Sequence, residues 1–106
     1  MRQLGLVILG VALAGSLYAA DDPIVGCWRL DPEFGSYQHT IDARADGSFL
    51  QMILGKRAAG TWTRQDRGRY KVDPGGENDY WRIEGGILGS YDQEGLIRKF
   101  NPARCE

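Results

Sequence analysis

The sequence has only one histidine, His39, and only two cysteines, two methionines and four prolines. A single histidine excludes a metal site built from several imidazoles and confines any histidine-dependent catalysis to one residue. No apolar run reaches the roughly 18 residues expected of a membrane-spanning helix. Neither charge is in surplus: 13 Lys+Arg face 14 Asp+Glu, a formal net charge of −1. That balance argues against nucleic acid, whose binders are usually clearly basic, and gives no reason to invoke an anionic membrane surface. Beyond the N-terminal region no segment sustains a helical period.

What the first twenty residues do contain is ordered. Met1-Arg2-Gln3 is a short positive head, and Leu4 to Leu17 is apolar and uncharged. Tyr18-Ala19-Ala20 then leads into Asp21-Asp22-Pro23. Basic head, apolar core, small residues and an acidic start are the order of a secretory signal peptide. Residues 1–20 are therefore expected to be cleaved after Ala19 or Ala20, leaving 21–106 as one small domain in the periplasm or outside the cell. A retained membrane anchor is the competing reading; the shortness of the run and its three glycines count against it. Loss of Arg2 with the signal leaves 12 basic against 14 acidic residues, a net charge of −2.

A chain of this size buries only about 60–65 % of its unfolded surface, so a covalent staple helps. Cys27 and Cys105 lie near the two ends of the exported part, and an oxidising compartment makes a disulfide between them the expectation. Ile24-Val25-Gly26-Cys27 also has the look of a lipoprotein processing box, which would acylate Cys27 and leave Cys105 unpaired. Asp21, Asp22 and Pro23 separate that box from the apolar core, where such charges oppose entry into a bilayer.

The rest reads as short β-prone runs punctuated by Gly, Asp and Pro. Strands are predicted at 24–30, 37–43, 48–54, 60–65, 69–72, 80–83, 87–91 and 96–100. Asp46-Gly47 is the strongest turn, and Gly55-Lys56-Arg57 is expected to turn as well. About eight short antiparallel strands in sequence describe an all-β up-and-down meander. Closing it into a small barrel removes both edges and sets the first strand beside the last, next to the two cysteines. Two stacked sheets fit the pattern nearly as well. Gly26/Trp28, Gly60/Trp62 and Gly68/Tyr70 each place a glycine two residues before a ring, on one face of a strand, where the ring can cover the glycine.

The segment Ile24-Val25-Gly26-Cys27-Trp28-Arg29-Leu30, followed by Asp46-Gly47-Ser48-Phe49 and Gly60-Thr61-Trp62, resembles small bacterial lipocalin-like domains over roughly 24–100. The resemblance implies a β-barrel and an apolar ligand held within it. The chain is much shorter than a full lipocalin and lacks its long helix, and side chains can fill so small an interior.

Chemistry is sparse. His39 has no second metal-type side chain at a recognisable spacing. Asp31 and Glu33, or Asp73, Glu77 and Asp79, are carboxylates that could share acid–base work, but they also read as turn chemistry. No cofactor or metal is expected. Six of the basic residues, Lys56, Arg57, Arg64, Arg67, Arg69 and Lys71, fall within 56–71, and the third strand is apolar on both faces through Phe49, Leu50, Met52, Ile53 and Leu54. Three functions follow in order. The first is a non-catalytic exported binding protein, monomeric, with Trp28, Trp62, Tyr70, Trp81 and Tyr91 lining a site for a small apolar or anionic ligand. The second is a periplasmic inhibitor or immunity protein whose basic hairpin and apolar third strand bind a secreted toxin or a cell-wall-degrading enzyme. A hydrolase using His39 or a loop carboxylate comes last.

Overall fold

Tight reversals need residues that accept positive φ, and this chain supplies them at nearly regular intervals between β-prone runs. The computed structural model describes residues 22–105; the expected signal peptide, 1–20, lies outside the described residues. Eight strands follow: β1 (Gly26–Leu30), β2 (His39–Ala43), β3 (Ser48–Ile53), β4 (Lys56–Arg64), β5 (Arg69–Asp73), β6 (Tyr80–Glu84), β7 (Ile87–Asp92) and β8 (Gly95–Ala103). Each pairs antiparallel with the next, and β1 pairs with β8 to close the barrel. One short 3-10 turn, Pro32–Phe34, is the only helical element among the described residues.

The cysteines meet at the seam. Cys27 stands opposite Ala103, and the Cys27–Cys105 disulfide joins Cα atoms 5.2 Å apart. It leaves no free thiol among the described residues, so Cys27 has none to acylate.

Several strand ends shift by one or two residues from the sequence expectation, and two shift further. The chain reverses over Leu54 and Gly55, with φ of 51° and 81°, so Lys56 and Arg57 begin β4 instead of forming a turn. Gln38 accounts for this: its backbone carbonyl accepts the Leu54 N–H at 3.1 Å and its side-chain carbonyl accepts the Gly55 N–H at 2.6 Å. Strand β8 runs on to Ala103, and its pairing skips Ile97 between Ser90↔Arg98 and Tyr91↔Leu96. That bulge adds a residue on one side and re-aims the strand.

Alternation along the strands sends Trp28, Leu30, Ile41, Ala43, Phe49, Trp62, Tyr70, Val72, Trp81, Leu88 and Phe100 into the interior, all buried. Phe49 packs on Trp81 at 4.9 Å between ring centroids and Trp62 on Tyr70 at 5.7 Å. Gly60 is required here: a Cβ would sit 2.5 Å from Phe49 Cζ and 2.6 Å from the Asp73 carbonyl oxygen. The ring over Gly60 therefore comes from the neighbouring strand, not from Trp62, and nothing crowds Gly26 within 4 Å.

One barrel end is closed by the segment before β1. Ile24 is fully buried, and its carbonyl accepts the Trp28 indole N–H at 2.9 Å. At the other end, Arg98 donates to Glu77 at 2.6 Å and to the Tyr37 hydroxyl at 3.3 Å, tying the loops before β2 and β6 to β8.

Candidate functional site

The rings expected to line a ligand site occupy the core itself. Trp28, Trp62, Tyr70 and Trp81 are buried, and three use their polar atoms internally: Trp28 on Ile24, Trp62 on the Arg44 carbonyl at 3.0 Å, and Tyr70 on the Asp22 carboxylate. Tyr91 stands apart. It is on the outer wall, stacked parallel on Tyr80 at 5.0 Å. An eight-stranded barrel is about wide enough for side chains to fill, and large rings do so here.

Asp22 was not foreseen as a site residue, being read only as the acidic start of the exported chain. Its side chain is 4 % exposed and accepts from the Ile24 N–H at 3.0 Å, from Tyr70 and from Arg64 at 2.9 Å. Burial, then the Asp22 hydrogen bond, pushes the Tyr70 hydroxyl far above its ordinary range. The Asp22 hydrogen bond and charge likewise raise Arg64. Arg64 thus belongs to the barrel closure, and the other basic residues scatter. Lys56 and Arg57 open β4 at the far end, and Arg67 sits in the β4–β5 turn with φ of 60°. Arg69 and Lys71 project outward from β5, opposite in facing to buried Tyr70 and Val72. Arg69 lies over the Tyr80 ring at 4.5 Å.

His39 faces inward and is 7 % exposed. Its Nε2 bonds the Gln51 side-chain oxygen at 2.8 Å, which makes Nε2 the donor and Nδ1 an acceptor with no partner among the described residues. Burial holds its pKa below the ordinary imidazole value. No described hydrogen bond links it to a carboxylate or a hydroxyl nucleophile. Two of the loop carboxylates are tied into the fold: Asp31 accepts from the Glu33 N–H and the Asn101 amide, which together hold it below the usual carboxylate range, and Glu77 pairs with Arg98. Cys27, Asp42 and Cys105 bring three potential metal-ligand atoms within 4.8 Å, but both sulfurs are in the disulfide.

Concavity appears on the outside. A groove of about 620 Å³ crosses the outer face of β1–β3, with Leu50, Met52, Thr40 and the disulfide on its floor and the 32–38 loop as one wall. A neighbouring hollow of about 730 Å³ shares Arg29, Pro32 and Cys105 with it. The second apolar face of β3 is thus half-covered by that loop and half-open. Met52 is paired with Arg57, and Leu50 with Ala59, so the apolar floor borders the outer face of β4 directly. No helix among the described residues is long and apolar enough to cross a membrane. No protein-family model, no curated protein and no solved structure matches this chain.

Proposed function

We propose that the chain is an exported, non-catalytic binding domain whose partner is an acidic protein, in the manner of a periplasmic inhibitor or immunity protein. The observation that carries this reading is the placement of apolar surface. The interior is taken by the barrel's own rings, while an apolar-floored groove opens outward over Leu50 and Met52. An apolar floor with a charged rim is the anatomy of a protein interface. Arg57 lies beside Met52, and Arg29 and Arg104 line the groove with Asp42 as its one carboxylate, so the rim carries a positive surplus, and this charge selects an acidic partner. The disulfide and the apolar N-terminal run support export, and the disulfide also rigidifies the groove floor.

The test is affinity capture with the wild-type domain and with Met52→Glu, compared in low and high salt. A partner of acidic isoelectric point that is retained by the wild type, weakened by salt and lost with Met52→Glu is the expected result. Capture that is indifferent to Met52→Glu and to Arg57→Glu contradicts the assignment of this face.

A further inference from the structure

On the outer wall of β5–β8, four residues stand opposite one another in register: Arg69, Arg82, Gly89 and Lys99. Three are cations. Like charges directly opposed across a ladder repel, and sheets usually interpose a neutral or acidic neighbour. Little on this wall relieves the repulsion. Arg69 is stacked on Tyr80. The acid nearest Arg82 is Glu84, whose carboxylate is 3.9 Å from Nη2 and mostly exposed, and Arg82 Nε is buried with no partner among the described residues. Lys99 acts on Asp31, whose carboxylate already accepts from Glu33 and Asn101.

Gly89 sits between Arg82 and Lys99 without a side chain, and a pocket of about 180 Å³ opens there. Tyr91 and Leu96 lean into the gap: a Cβ on Gly89 would lie 2.9 Å from Tyr91 Cε1 and 3.0 Å from Leu96 Cδ1. The result is a small hollow with a guanidinium on one side, an ammonium on the other and an apolar edge.

We propose that this hollow binds a compact doubly charged oxyanion, a phosphate or sulfate group, between Arg82 and Lys99. The guanidinium presents a planar fork of donors to such a group. Lys99 adds a point charge from the far side, and Arg69 adds to the field from the next strand. Arg82, Lys99 and Arg69 outnumber Glu84 on the rim and Asp31 beside Lys99, and this positive surplus favours a dianion over a carboxylate. Tyr91 and Leu96 contact whatever carbon body carries the group. The site lies away from the β1–β3 groove and does not rest on the acidic-partner reading.

The experiment is an NMR titration of the domain at constant ionic strength with inorganic phosphate, sulfate and acetate. Saturable shifts confined to Arg82, Gly89, Tyr91 and Lys99 are expected, with phosphate and sulfate binding about tenfold more tightly than acetate, a difference on the scale of one charge-assisted hydrogen bond. Arg82→Gln and Lys99→Gln should each weaken phosphate by about tenfold while the buried Trp81 indole signal stays in place. Non-saturating shifts spread over every exposed Lys and Arg, or equal titrations in wild type and both variants, overturn the proposal. Glycerol phosphate and phosphatidic acid vesicles, both phosphomonoesters, are then compared. Saturation by the soluble ester upholds the site with a free ester as the source, and binding confined to vesicles upholds it with a lipid headgroup.

Discussion

Leu54 is held at φ of 51° and is 67 % exposed, a conformation that suits Gly or Asn far better than Leu. Leu54→Asn is expected to raise stability by about 0.5–1 kcal/mol, read from urea unfolding midpoints. Asp22 is the opposite case, a carboxylate satisfied by three donors inside the barrel closure. Asp22→Ala strands the Tyr70 hydroxyl in the core and should cost about 2 kcal/mol, while Arg64→Ala, at a half-exposed partner, should cost under about 1 kcal/mol. His39 gives a pH signature. Its folded pKa is below 6.5 because burial disfavours the charged ring, so the unfolded chain binds the proton more readily. Stability is therefore intact above pH 6.5 and falls as pH drops from there toward the folded value. As the sequence has no other histidine, His39→Gln should remove most of that slope in pH-dependent urea titrations, and an unchanged slope would assign it elsewhere.

At the scale of elements, the sequence made the strands legible and left the hairpin between β3 and β4 misplaced. Asp46-Gly47 announces its turn because Gly47 takes φ of 90° and Asp46 accepts from the Ser48 N–H at 2.9 Å, both local facts. The Leu54–Gly55 reversal depends on Gln38, seventeen residues from Gly55, and no local pattern carries that contact. For the same reason the six basic residues of 56–71 looked like one patch. Strand parity separates inward Arg64 from outward Arg69 and Lys71, and only the closed barrel brings Asp22 to Arg64. The row of Arg69, Arg82, Gly89 and Lys99 was equally invisible, since it spans four strands whose register depends on the bulge in β8. Gly60 tests the packing between β3 and β4. Gly60→Ala must displace the Phe49 ring and crowd the Asp73 carbonyl, and a loss of about 1–3 kcal/mol in thermal or urea unfolding is expected. Gly26→Ala meets no atom within 4 Å, although its φ of 143° still favours glycine, so any loss there reports backbone strain and not core packing.

The whole molecule depends on its seam. Strands β1 and β8 close the barrel, and the disulfide beside them spans a sequence separation of 78 residues. In the chain-entropy account such a link contributes roughly 4 kcal/mol, a large share of what a domain this small possesses. Reduction should lower the melting temperature by about 15 °C or more, and an unchanged melting curve would show that the seam holds without it. Closure also fills the interior with rings, which leaves the proposed recognition to the outer wall. Native mass spectrometry of the domain isolated from its own compartment tests this most directly. A protein-sized adduct is expected on the oxidised wild-type barrel and should be absent from Met52→Glu. An apolar small molecule carried equally by wild type and Met52→Glu, and lost only when the barrel unfolds, would place the ligand among the core rings and contradict it.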